Sequence, residues 1–108
     1  MIPAKDKIER LMAATRVAVV GASNDPGKAT GRPIAYMLKR GFAGEIFPVN
    51  PSRSEVQGLR AYPSLAAIGQ PVDLAIIGTA PNLVESVVRE GIAAGIPSIY
   101  GNYSEPKF

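Results

Sequence analysis

The succession of apolar runs, turn residues and helical periodicities predicts an α/β domain, a Rossmann-like doubly wound parallel sheet of about five strands. Three observations carry this. Short apolar runs alternate with helical segments along the chain. Two of the runs, Arg16–Gly21 and Val72–Gly78, are too uniformly apolar for surface strands and suit strands buried on both faces. The first run empties into a loop, Gly21-Ala-Ser23-Asn-Asp-Pro-Gly27-Lys28-Ala-Thr-Gly31, which precedes a helix opened by Pro33.

Each element follows from its residues. Lys5–Met12 reads as a short amphipathic helix. Arg16–Gly21 is the first strand, ended by its glycine. Pro33–Arg40 is a helix with Ile34, Met37 and Leu38 on one side and Gly41 as its stop. Glu45–Val49 is the second strand, closed by Asn50-Pro51. Leu59–Tyr62 is a weak third strand, and Pro63–Ile68 forms one or two helical turns. Val72–Gly78 is the fourth strand. In Pro81–Ala94 the residues Leu83, Val84, Val87, Val88 and Ile92 repeat at helical spacing, and Gly95 ends the helix. Ile96–Tyr100 is the fifth strand. The segment from Gly101 to Phe108 is a polar tail without a helix to cover the last strand, so residues 1–108 are expected to be the N-terminal part of a longer protein.

Composition narrows the function classes. The 108 residues suffice for one domain with a single core, and 46% apolar content suits a folded chain. No apolar run has the length of a membrane span and no signal-peptide pattern opens the chain, so a membrane partner is not expected. The absence of cysteine removes disulfides and thiolate chemistry and fits a cytoplasmic protein. A net charge of +3 favours an anionic ligand. Lys/Arg runs with interleaved aromatics are missing, which argues against nucleic acid.

The loop after the first strand carries the chemistry. Backbone N–H groups ahead of a helix are suited to an anion, most often a phosphate. Two familiar phosphate loops do not match. Gly21 and Gly27 enclose five residues and Lys28 is followed by Ala29, unlike a nucleoside-triphosphate loop. Ser23 stands where a dinucleotide fingerprint needs its second glycine, and the second strand ends in Asn50 in place of an acid. A glycine-rich turn that merely joins strand to helix stays open as a reading. Ligands of open α/β sheets bind beyond the carboxyl ends of the strands. Three segments should therefore converge there: Gly21–Gly27, Asn50–Arg53 and Gly78–Asn82.

Four stretches together resemble a known family: Arg16-Val-Ala-Val-Val-Gly-Ala-Ser23, Gly44-Glu-Ile-Phe-Pro-Val-Asn-Pro51, Val56-Gln-Gly-Leu-Arg-Ala-Tyr-Pro-Ser-Leu65 and Pro71-Val-Asp-Leu-Ala-Ile-Ile77. The chain is similar to the CoA-binding domain of NDP-forming acyl-CoA synthetases, relatives of succinyl-CoA synthetase alpha subunits. The resemblance implies CoA or acyl-CoA as ligand, held by its phosphates on the first loop, in the cofactor-binding domain of an ADP-forming acyl-CoA synthetase or a related acyltransferase, with further synthetase domains or subunits as partners. It places Gly21, Ala22, Ser23, Asn24, Asp25 and Pro26 on the phosphate-cradling loop, and Asn50 and Pro51 at the end of the second strand. Arg53 stands close to where related alpha subunits place a lysine on the cofactor, and an arginine there suits the 3′-phosphate of CoA. Its plain alternative is a solvated loop charge, as a turn-stabilising hydroxyl is for Ser23. Lys28 and Arg32 are cations beside the site. Thr79 and Ala80 stand where the family usually has Val-Pro, which puts the backbone path at the adenosine or pantetheine in question.

No catalytic residue is expected in this chain. The family works through a phosphohistidine, placed by the resemblance in a later domain, and this chain has no histidine. Asp25 is the lone carboxylate near the loop, and Asp73 begins a strand at the opposite end. No metal site is read. Two other functions stay open. An NADP-binding oxidoreductase-type module would use Arg53 for the 2′-phosphate. A non-catalytic regulatory domain would keep the fold with a degenerate site.

Overall fold

The computed structural model describes residues 15–79 and 81–100, with Pro81 described in its backbone alone. The elements are β1 (Arg16–Val20), α1 (Arg32–Lys39), β2 (Glu45–Val49), β3 (Glu55–Val56), β4 (Leu59–Arg60), a 3₁₀ turn (Ala66–Ile68), β5 (Leu74–Ile77), α2 (Pro81–Ala93) and β6 (Ser98–Tyr100). The expected helix at Lys5–Met12 and the tail beyond Tyr100 lie outside the described residues.

Four strands form a parallel sheet in the order β2-β1-β5-β6. Along β1 the register runs from Arg16 beside Glu45 to Val20 beside Val49 on one side, and from Val17 beside Leu74 to Val20 beside Ile77 on the other. The period-2 alternation of a strand sorts β1 between two cores. Val17 and Val19 pack with Ile34 and Met37 of α1, and with Leu74 and Ile76. Ala18 and Val20 pack on the opposite face with Leu65, Ile68, Ala75 and Ile77, where Val87 and Val88 of α2 join. Both faces are covered, which is why these strands read as unbroken apolar runs. The α/β class expected from the sequence is the class observed.

One strand departs from expectation. Leu59–Tyr62 does not enter the sheet, which has four strands among the described residues and not five. Leu59–Arg60 folds back antiparallel on Glu55–Val56 around Gln57 and Gly58, whose φ angles are +49° and +82°. Two positive-φ residues make the two-residue hairpin turn whose twist matches its strands. Only Tyr62 reaches the sheet edge, as an isolated parallel bridge to Val49. Its N–H donates to Pro48 O at 2.9 Å and its carbonyl accepts from Asn50 N at 2.8 Å. Pro63 follows and supplies no N–H with which to continue a ladder. Pro48 itself is tolerated because β2 is an edge strand. The helical turns expected over Pro63–Ile68 shorten to the 3₁₀ turn, ended by Gly69 at φ +66°.

Candidate functional site

The chain runs from β1 to β2 on one side and later to β5 on the other, so the strand order reverses at β1. Its carboxyl end is therefore the place where a doubly wound sheet opens a crevice. Gly21 N–H donates to Val49 O at 2.9 Å and Gly78 N–H to Val20 O at 3.0 Å, so the three expected segments share one edge. There a cleft of about 440 Å³ is lined by Gly21, Ala22, Ser23, Asn24, Asp25, Lys28, Thr30, Asn50 and Arg53.

The loop is shaped by its own side chains. Gly21 has φ +81°, and a Cβ there would stand 2.8 Å from Gly78 O. Ser23 Oγ accepts from Asp25 N at 3.0 Å, and Asp25 Oδ1 accepts from Gly27 N at 2.9 Å. These are side-chain turns of the kind Ser and Asp make in loops. Gly31 closes the loop against itself: a Cβ there would lie 1.9 Å from Asp25 O, so only glycine allows the approach. The amides of Ser23, Asn24 and Thr30 have no acceptor among the described residues. Unused N–H groups at a loop ahead of a helix suit an anion.

Asn50 is an organiser of this edge. Its Nδ2 donates to Ala22 O at 3.0 Å and its Oδ1 accepts from Ser52 N at 2.8 Å, so both ends of the amide are engaged. Arg32 turns back onto the loop, donating from Nε and Nη2 to Gly27 O at 3.2 and 3.0 Å. Lys28 and Arg53 both border the cleft, and among the described residues neither side chain has an ion-pair or hydrogen-bond partner. The remaining expected residues divide. Pro26 and Pro51 belong to the same two turns without lining the cleft. Thr79 adjoins Gly21, its Cγ2 3.6 Å from where a Gly21 Cβ would be. Ala80 lies outside the described residues.

Gln57 was not singled out by the sequence reading. From the tip of the β3–β4 hairpin its N–H donates to Asn24 Oδ1 at 2.6 Å, and its Nε2 donates to Ser23 O at 2.9 Å and Gly31 O at 3.0 Å. One side chain thus ties both ends of the loop to the hairpin. The available signal was the Gln57-Gly58 pair between two short strand-like dipeptides, which reads as a tight hairpin. At the opposite sheet edge, Asp73 accepts from the Thr15 hydroxyl, from Thr15 N at 3.1 Å and from Arg16 N at 3.0 Å. The Thr15 hydroxyl foremost, then these amides and the Arg16 charge, hold its carboxyl below the usual carboxylate range against a smaller opposing effect of burial.

A doubly wound sheet with an amide-rich loop and cationic side chains at its switch point is the frame of a nucleotide-cofactor-binding domain. The chain belongs to the CoA binding domain family, whose model matches residues 15–104. It is 43% identical over 81 residues to an ADP-forming acetate–CoA ligase of Archaeoglobus fulgidus, a match covering 74% of this chain and 12% of that protein. It is 32% identical over 96 residues to the uncharacterized protein YneT of Bacillus subtilis, covering 88% of this chain and 70% of that one. Among solved structures, an acetyl-coenzyme A synthetase of Ca. Korarchaeum cryptofilum, in complex with phosphate and ADP, superposes with a TM-score of 0.76 and 35% identity. That match covers 85% of this chain and 20% of the synthetase. The chain therefore spans about an eighth of the first curated relative's length. It is a CoA-binding domain homologous to the corresponding part of ADP-forming acyl-CoA synthetases. No helix among the described residues is long and apolar enough to cross a membrane.

Proposed function

We propose that CoA or acyl-CoA binds in the cleft beyond β1, and that the domain serves as the cofactor-binding part of an ADP-forming acyl-CoA ligase. The carrying observation is the coincidence of two things at one sheet edge: a loop with amides, and a pair of cationic side chains, Lys28 and Arg53, that are unpartnered among the described residues. The loop from Gly21 to Pro26 receives the phosphates, with Ser23 and Asn24 lending backbone N–H groups. Asn50 and Pro51 hold the second loop in place. Arg53 supplies a guanidinium for the 3′-phosphate, and Thr79 and Ala80 border the organic part of the ligand. Lys28 adds positive potential at the mouth. No residue here is assigned a role in moving a phosphoryl group, so ligation requires further domains or subunits, as the length of the relatives supports.

Calorimetric titration with CoA, dephospho-CoA, NADP and ATP tests this. CoA should bind most tightly, with dephospho-CoA second. NADP binding more tightly than CoA would transfer the site to a different cofactor. Asn50 argues against that outcome, since it stands where a carboxylate for the ribose hydroxyls would be needed at the end of β2, and its amide already organises the two loops. Failure of every nucleotide to bind would favour a regulatory domain with a degenerate site.

A further inference from the structure

Thr30 lies one residue before the α1 N-cap and lines the cleft. It is only 8% exposed, and among the described residues it is the one buried polar side chain. Its hydroxyl makes no hydrogen bond to any described residue. Buried hydroxyls are ordinarily paired, commonly to a carbonyl three or four residues back. Thr30 Oγ1 is not sealed in, however, because no enclosed side-chain polar atom is left without a partner among the described residues. The surface onto which the residue opens is the cleft it shares with Ser23, Lys28 and Arg53. An unpaired hydroxyl held this deep in a phosphate-suited cleft, beside unused amides, has the chemistry of a donor to an anionic oxygen.

We propose that the Thr30 hydroxyl donates a hydrogen bond to a diphosphate oxygen of the bound cofactor. Thr30 is thereby a ligand-contacting residue beyond those assigned above. The proposal rests on the reading that the cleft receives a cofactor's phosphates. A diphosphate is common to CoA, dephospho-CoA and NADP, so Thr30 serves the shared part of these ligands and Arg53 the distinguishing phosphate.

The experiment compares Thr30→Val and Thr30→Ser with the unsubstituted chain, measuring thermal stability and calorimetric affinity for CoA, dephospho-CoA and inorganic pyrophosphate. Valine keeps the shape and removes a hydroxyl that no protein group uses, so the variant should be at least as heat-stable. It should bind CoA and dephospho-CoA about tenfold or more weakly, by similar factors, because a hydrogen bond to a charged acceptor is lost from a part that both ligands share. Serine should restore most of the affinity. Unchanged binding by the valine variant, a loss confined to CoA, or a valine variant that does not fold would each overturn the proposal. If the unsubstituted chain binds pyrophosphate but not CoA, the CoA reading fails, while a pyrophosphate loss in Thr30→Val still supports Thr30 as a diphosphate donor. If it binds none of the three, both fall.

Discussion

Arg53 and Asn50 illustrate how neighbouring loop residues take different parts. Asn50 spends both ends of its amide on Ala22 O and Ser52 N, whereas the Arg53 guanidinium has no partner among the described residues. Arg53→Ala should therefore weaken CoA about tenfold or more, the effect of losing a charge-assisted bond worth roughly 1.5–3 kcal/mol. Dephospho-CoA should lose much less; equal losses in paired titrations would show that Arg53 does not read the 3′-phosphate. Asp73 acts on stability. Its folded-state pKa is lowered, foremost by the Thr15 hydroxyl, so its ionised form is favoured by folding. That stabilisation is complete above the unfolded value of about 3.9 and is lost as pH falls through the lower folded value. Asp73→Asn should be less stable than the unsubstituted chain at neutral pH, with the two curves converging in acid below pH ~4. Denaturant midpoints measured across that range check it, and parallel curves would exclude the clasp as a source of acid sensitivity.

At the scale of elements, the β3–β4 hairpin is the support of the loop after β1. Gln57 Nε2 holds Ser23 O and Gly31 O together, and each such bond contributes about 0.5–1.5 kcal/mol. Gln57→Ala should lower stability by about 1–3 kcal/mol for the two bonds and weaken CoA by loosening the loop. Gln57→Asn suits the positive-φ turn better but is one methylene too short for both carbonyls, so it should recover the hairpin without recovering the affinity. Hydrogen exchange is the informative readout. The hydrogen-bonded loop amides of Asp25, Gly27, Lys28 and Gly31 should exchange faster in both variants while those of β1 and β5 are unchanged. Protected loop amides in Gln57→Ala would mean the loop holds its shape unaided.

For the whole molecule, the chain is proposed to provide a cofactor cleft and to leave phosphoryl transfer to further domains or subunits. It contains no histidine and no cysteine, and among the described residues Asp25 is the one carboxylate that lines the cleft. The chain by itself, given acyl-CoA, ADP and phosphate, should produce no ATP above a protein-free blank. ATP formation would place the chemistry inside these residues and overturn the assignment of ligation to further domains.

The α/β class, both central strands, both described helices and the loop after β1 were legible because each is written in local periodicity or in punctuation by glycine and proline. The convergence of Gly21, Asn50 and Gly78 was legible too, since parallel strands bring their carboxyl ends to one edge. The hairpin was not: Leu59–Tyr62 has the residues of a strand, and only the backbone sign at Gln57 and Gly58 turns it away from the sheet. Nor could local sequence show that Gln57 would reach across 26 and 34 residues to the loop carbonyls, or that Thr30 would be buried with its hydroxyl unpaired. Periodicity specifies which side of an element is apolar. Which distant polar groups meet depends on how the elements pack, and that is decided only when the chain has closed on itself.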